Sequence, residues 1–356
     1  MKKILFHLGH PAHFQLFKNV ISDLKAKGHT CYIIIKKKDI LEELLEKSGF
    51  EYVNILPEGK KKSRFDLIVG MLKRDWRMLK FCFKHKPDVL IGTSVEISHV
   101  GTLLGIPSIN VEEDDADVIP LHAWFSYPFS TVILTPTVCR NGRWEKKSLK
   151  YKGYHELAYL HPNVFTPNKE VVRKYFNPDE PYFLMRFVSL SAHHDAGVKG
   201  INTEIAQNLI NMLLPHGKIY ITSERPLEAQ FESYRLAINP LDIHHVMAFS
   251  RMLIGDSQTM AAEAGVLGIP YVRFNDFVGK ISYLEELEQY YNLGKGVKSN
   301  EIEKLYAAVE EYLSDQTIGE KQAQRRQKML SEKIDVHAFF VRLLDEFPNS
   351  LNRNKT

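Results

Sequence analysis

Several short stretches of this chain combine residue types that could move protons or hold phosphate. "GHPAHF" (Gly9–Phe14) sets His10 and His13 three residues apart, directly after an apolar run. "IGTSVE" ends on Glu96, and "NVEEDDADV" packs Glu112, Glu113, Asp114 and Asp115 into one turn. "SLSAHHDAG" carries His193, His194 and Asp195, with Arg186 before it and Lys199 after it. Arg225 stands in "SERP", and His244 and His245 stand in "DIHHVMAFS". Histidine titrates near neutral pH, so His10 or His13 suits an acid or base role. His13 is the preferred base because it enters the mouth of the following helix. The same spacing could mark a metal pair, but Pro11 speaks against a regular helix there and further ligands are not evident. Clustered carboxylates such as Glu96 and Glu113 can share acid and base roles, or can simply form a solvated acidic turn. His193 or His194 could touch a diphosphate or protonate a leaving oxygen. Arg186, Lys199 and Arg225 could balance its charge, Arg225 equally being a surface ion pair.

"GDSQTMAAEAGVLGIP" (Gly255–Pro270) holds the most informative pattern. A helix N-terminus presents free backbone N–H groups and a partial positive charge, and it receives phosphate readily. Ser257 is the expected N-cap, with Gln258 and Thr259 in the first turn and no capping box, since Met260 stands three residues on. Thr259 and Glu263 fall on one face, about 5.4 Å apart along the axis. That separation suits a diphosphate beside ribose hydroxyls, which a carboxylate can bind. The plain alternative is a capped core helix with Glu263 on a solvated edge.

Positioning these groups takes strands alternating with helices. In the first half, strands are expected at Lys3–Leu8, Cys31–Ile35, Val89–Ile91, Ser108–Val111 and Val132–Leu134. Helices are expected at Phe14–Lys27, Ile40–Ser48 and Arg64–His85. The second half repeats the scheme, with strands at Tyr182–Phe187, Lys218–Thr222, Met252–Ile254 and Pro270–Arg273. Its helices include Gln258–Leu267, and one long helix at Thr317–Glu346 closes it. Short apolar runs joined by amphipathic stretches imply parallel strands with crossover helices. "LLGIPSINV" (Leu103–Val111) and "VLGIPYVRF" (Val266–Phe274) share a helix end, a Gly cap, Ile-Pro and a new strand. The reading is α/β: two Rossmann-like domains facing across a cleft, residues 1–160 and 161–346, with 347–356 a frayed tail. In such sheets ligands bind beyond the carboxyl ends of the strands.

Length and composition agree. The 356 residues suit two domains of about 150–180 residues each. No apolar run approaches the ~20 residues of a membrane span, and the start reads as a strand rather than a signal peptide. Three dispersed cysteines, Cys31, Cys82 and Cys139, fit a reducing cytoplasm and give no zinc framework. From Lys60 to Lys86 ten Lys/Arg face only Asp66 and Asp75, interleaved with Trp76, Phe81 and Phe83. Such a segment is either a core helix with a basic outer face or a contact for the anionic inner face of the plasma membrane. A net charge of +4 without any recognisable module argues against nucleic acid. No strand is followed by G-x-G-x-x-G, which argues against a dinucleotide dehydrogenase.

Together, "GDSQTMAAEAGVLGIP", "MRFVSLSAHHDAGVKG", "TSERP" and "HLGHPAHFQLFKNVISDLKAKGH" resemble a glycosyltransferase-like family of unknown function, number 354. More distantly they are similar to the GT-B superfamily, including hydrolysing UDP-N-acetylglucosamine 2-epimerases. The resemblance covers most of the chain. It implies a nucleotide sugar, most simply UDP-linked, held by the second domain, with Glu263 on the ribose and Ser257–Thr259 on the diphosphate. It also implies a base in the "GHPAHF" loop, His244 near the nucleobase and acidic residues in loops like "NVEEDD". The expected activity is metal-independent, cofactor-free sugar transfer to a saccharide or lipid-linked acceptor of an envelope or capsule polysaccharide. A hydrolysing epimerase and a non-catalytic nucleotide-sugar binder are the alternatives.

Overall fold

The computed structural model of the chain describes residues 1–38, 40–56, 64–188 and 200–353, side chains excepted at 64–68 and 352–353. Two compact units form: unit 1 comprises Met1–His161 and Ile334–Thr356, and unit 2 comprises Pro162–Lys333.

Unit 1 runs β1 (Lys3–Leu8), α1 (Pro11–Ala26), β2 (Thr30–Ile35), α2 (Leu41–Lys47), β3 (Val53–Asn54), α3 (Arg64–His85) and β4 (Val89–Gly92). It continues with α4 (Val95–Leu104), β5 (Ser108–Val111), α5 (Pro120–Ser126), β6 (Val132–Pro136), β7 (Ser148–Tyr151) and α6 (Leu157–Leu160). The seven strands are ordered β3-β2-β1-β4-β5-β6-β7, each pair parallel. Strand order reverses between β1 and β4, so the switch point lies at their carboxyl ends. There His7 pairs with Gly92, where a Cβ would stand 2.4 Å from the His7 carbonyl oxygen. Leu5, Ile34, Met78, Leu90 and Ile97 join in a core between the sheet and α3 and α4. Each such fully buried side chain contributes roughly 1.5–3 kcal/mol.

Unit 2 runs α7 (Lys169–Arg173), β8 (Tyr182–Phe187), α8 (Thr203–Leu213), β9 (Lys218–Ser223), α9 (Ile243–Met247), β10 (Met252–Gly255) and α10 (Gln258–Leu267). Then follow β11 (Tyr271–Phe274), α11 (Ser282–Glu285), β12 (Gly294–Val297), α12 (Ile302–Ser314) and α13 (Ile318–Glu332). Its sheet, β12-β11-β10-β8-β9, is also parallel, with the reversal between β8 and β10. Gly255 stands opposite Arg186 there, and a Cβ would meet the Arg186 carbonyl oxygen at 2.6 Å. The same device thus marks both switch points.

The expected helix Thr317–Glu346 is two helices, α13 and α14 (Val336–Asp345). The Ile334 N–H leaves the helical pattern to bond the Lys152 carbonyl, and Asp335 starts a new helix by accepting the Ala338 N–H at 2.9 Å. Residues 334–346 therefore return to unit 1 rather than closing the second domain. Phe340 packs edge-on against Phe17 of α1 at 5.9 Å, and Asp345 meets Lys27 at 2.9 Å. Part of the tail expected to fray is helical: Asn349–Arg353 forms α15, with the Ser350 hydroxyl donating to the Leu343 carbonyl. Asp335→Ala should cost ~0.5–2 kcal/mol in urea denaturation, because the cap and the start of α14 go together.

Pro11 does not prevent a helix. It occupies the first position of α1, where its missing N–H costs nothing, and His10 is the N-cap, its Nδ1 accepting the Ala12 N–H at 3.2 Å.

Candidate functional site

In unit 1 the chemistry-bearing side chains gather beyond the carboxyl ends of the strands. His13 sits in the first turn of α1, its Nδ1 accepting the Gly9 N–H at 3.1 Å with Thr93 Oγ1 2.6 Å away. With Nδ1 so occupied, the proton belongs on Nε2, and the ring offers a donor. Loss of solvent, then His10, Lys36, His155 and His7, hold its pKa well below the usual histidine range. The His10 ring stands 5.9 Å from it.

Beyond β5 three of the four acidic residues have separate partners. Glu112 meets His122 Nε2 at 3.0 Å, and Glu113 meets His155 Nδ1 at 3.4 Å while accepting the His155 N–H at 3.1 Å. Asp115 is fully buried and accepts the Arg140 N–H at 2.6 Å, which fixes the turn. Asp114 is different. Burial of its carboxyl, then repulsion from Glu112 and Glu113, pushes its pKa up to about 7, with His155 opposing the shift. A carboxyl titrating near neutral pH can give or take a proton under working conditions.

Glu96 is buried and ion-paired with Arg74. Although burial pushes its pKa upward, His7, Arg74 and Lys36 together hold it below the ordinary carboxylate range. It is thus a fixed anion joining α3 to α4. His7 is fully buried, and burial lowers its pKa to about 4, so it is neutral.

In unit 2, Ser257 caps α10 as its sequence implies, Oγ accepting the Met260 N–H at 3.3 Å, with Gln258 and Thr259 half-buried in the first turn. Glu263 is neither on a solvated edge nor alone: it is buried, and its Oε1 lies 2.9 Å from Nε2 of the equally buried His244. The small residues pack as expected, since a Cβ on Gly265 would meet the Tyr271 ring at 2.9 Å. Arg186 is ion-paired with Glu224. Arg225 donates to the Ile201 carbonyl at 2.7 Å and lies over the Phe187 ring. Asp256 accepts the N–H groups of Val188 at 2.8 Å and Ile201 at 3.3 Å, and burial raises its pKa to about 6. Arg225, Asp256, Asn202, Ser299 and Asn300 line a cavity of about 630 Å³. His193 and His194, with Asp195 and Lys199, lie outside the described residues, as do Lys60–Lys62. Among the described residues, no group of three or more His, Cys, Asp or Glu is placed to hold a metal.

The structure thus brings His10, His13 and Thr93 together in one group, Glu113, Asp114 and His155 in another, and Glu263 with His244 in a third. Thr93, His122 and His155 were missed from sequence. The one available signal was position: Thr93 and His155 each follow the end of a parallel strand.

Two parallel, doubly wound sheets with ligand-capable side chains beyond their carboxyl ends define the GT-B class of fold. The chain belongs to the family described as "Protein of unknown function (DUF354)", whose profile matches residues 2–338. It is similar in fold to the S. aureus MnaA–UDP co-structure, with a TM-score of 0.67 and 13% identity over 99% of this chain and 97% of that one. It is likewise similar to a putative UDP-N-acetylglucosamine 2-epimerase from Listeria monocytogenes, with a TM-score of 0.69 and 10% identity over 97% and 96%. A third similar structure is the glycosyltransferase SsfS6 from Streptomyces sp. SF2575, with a TM-score of 0.61 and 13% identity over 97% and 100%. No curated protein sequence matches the chain.

Proposed function

We propose that the protein is a sugar-transferring enzyme that takes its donor as a nucleotide sugar, UDP-linked, and passes the sugar to a saccharide or lipid-linked acceptor of the cell envelope. The observation that carries this reading is the β10–α10 joint: a capped helix mouth with small residues behind it and a buried, histidine-braced carboxylate one turn in. The fold likeness to the MnaA–UDP and SsfS6 structures supports the choice of ligand class. The Ser257–Thr259 turn would take the diphosphate and Glu263 the ribose, with His244 fixing the carboxylate. Helix dipole and N–H groups supply the anion site, so a divalent ion is not required for donor binding. In unit 1, Asp114 is the proton-transfer group, its protonation set by burial and by the charges of Glu112 and Glu113. His13, with its proton on Nε2, serves as a hydrogen-bond donor rather than the base.

Calorimetry tests the donor site. UDP should bind, and Glu263→Ala should weaken it by ~1–3 kcal/mol through lost hydroxyl bonds. Equal affinity in a variant that melts like the parent would remove Glu263 from the site.

One observation favours a second reading, a hydrolysing 2-epimerase. Unit 1 carries a carboxyl whose pKa is pushed up to about 7 beside a histidine–carboxylate pair, the acid and base that a reaction without acceptor would need. Incubation with UDP-sugars in the absence of acceptor, followed by NMR, separates the two. Rapid release of UDP with an epimerised sugar selects the epimerase, and turnover only after acceptor addition selects the transferase. Binding without any turnover leaves a nucleotide-sugar binder.

A further inference from the structure

On unit 1, α3, α4 and α5 are neighbours joined through His99, whose Nδ1 meets the Asp75 carboxylate at 3.0 Å and whose Nε2 bonds the Phe125 carbonyl at 2.8 Å. The outer surface of this layer is aromatic and aliphatic. Leu72 and Trp76 on α3, Leu121, Trp124 and Phe125 on α5, and Phe129 just after it are all exposed, from 45% for Phe129 to 67% for Leu121. Exposed apolar groups clustered in this way mark an interaction surface.

The charges among them are of one sign. Lys73, Lys80 and Lys84 are exposed on α3, Lys80 Nζ standing 4.9 Å from the Trp76 ring centroid. The Arg143 guanidinium lies 4.2 Å from the Trp124 ring. The nearby described carboxylates are already engaged, Asp75 with His99 and Glu145 with Lys150 at 2.7 Å. Rings and lysines sharing one face fit the headgroup level of an anionic bilayer, where the rings sit between acyl chains and water and each cation gains from surface potential. Lysine is depleted in protein–protein interfaces, so Lys73 and Lys80 beside Leu72 and Trp76 favour the headgroups over a protein partner. No described helix is long and apolar enough to cross a membrane, so the contact is peripheral.

We infer that the α3–α5 face of unit 1 docks on anionic membranes, with Trp76, Trp124 and Phe125 entering the interface and Lys73, Lys80 and Arg143 on the headgroups. This inference does not depend on the nucleotide reading, because vesicle binding needs no nucleotide. It widens the contact beyond the basic Lys60–Lys86 segment to α5, which that segment does not contain.

The chain's three tryptophans, Trp76, Trp124 and Trp144, all belong to this region, Trp144 standing 5.7 Å from Trp124. Intrinsic fluorescence therefore reports on it directly. The full chain should be titrated with vesicles of phosphatidylcholine alone and of phosphatidylcholine with phosphatidylglycerol, at low and high salt. A blue shift and co-sedimentation confined to the anionic vesicles, weakened by salt, are expected. Lys73→Gln/Lys80→Gln should weaken binding roughly thirtyfold, from about fivefold per cation. Trp124→Ala/Phe125→Ala should weaken it at least about tenfold through lost apolar contact. Equal binding to both vesicle types, or binding indifferent to both double variants, would overturn the proposal. So would patch-dependent dimerisation in sedimentation velocity with no vesicle binding, since the face would then be covered by a second copy.

Discussion

Asp114→Asn should lower kcat by about 10²–10⁴ while leaving UDP affinity within a factor of about two, because proton transfer in the transition state is lost and donor contacts are kept. The amide is isosteric with the acid and uncharged, so the turn held by Asp115 should survive, as circular dichroism and melting would show. The pH profile gives an independent signature. Burial and then Glu112 and Glu113 place the Asp114 pKa at about 7, far above an ordinary carboxyl. A base must be ionised, so parent activity should rise as pH climbs through about 7, and that limb should vanish in the variant. A falling limb instead would make Asp114 the acid. Glu113→Gln should shift the limb to lower pH, since one of the repelling charges is removed. Normal turnover by Asp114→Asn would remove this residue from the reaction.

The second large effect concerns stability. Arg273 and Glu288 are buried in unit 2 and joined by two bonds, Nε to Oε1 at 2.8 Å and Nη2 to Oε2 at 3.0 Å. Asn275 accepts from Nη1 at 3.3 Å. Glu288→Ala leaves the buried guanidinium with Glu285, 3.8 Å from Nη2, as its remaining carboxylate, and should cost ~3–5 kcal/mol in urea denaturation. Replacing both partners, Arg273→Met with Glu288→Leu, should recover most of that loss, because the desolvation of two charges disappears with their attraction. If the double variant is as unstable as the single one, the pair contributes more than charge compensation. The surroundings are built around it: a Cβ on Gly296 would lie 2.3 Å from Glu288 Oε2.

What could be read beforehand was whatever is local in sequence. The α10 joint follows from Ser257 at its start and Gly268 at its end, and the echo in the first half follows from Gly105. Both glycines are left-handed, with φ of 79° and 66°. The central strands were legible because both faces are buried and the runs are continuous. Of the edge strands only β9 was: "SLKY" of β7 alternates polar and apolar over only four residues, β3 has two, and "GKGV" of β12 carries two glycines. The break before α14 escaped because no Gly or Pro marks it, and Asp335 acts as a cap only once Ile334 bonds to Lys152. The site was half legible for the same reason. Residue types and strand-end positions named Glu113, but its partner His155 lies 42 residues away. Likewise Glu263 was marked by helical spacing, whereas its bond to His244 is a tertiary fact.

The return of residues 334–356 to unit 1 has a bearing on biosynthesis. Unit 2 is one uninterrupted segment lodged inside the sequence of unit 1. During translation it is complete before α14 has been made, so it can close while its host is still missing a helix. Until then α1 lacks the partner that covers Phe17, and Gly153 lacks Val336, which stands so close that a Cβ there would be 2.3 Å from its methyl. Unit 1 therefore spends the longest time unfinished on the ribosome, although its first strand is made before any of unit 2. A stop codon at residue 334 would release an intact second unit attached to a first one that cannot seal, a product for proteases rather than a shorter enzyme.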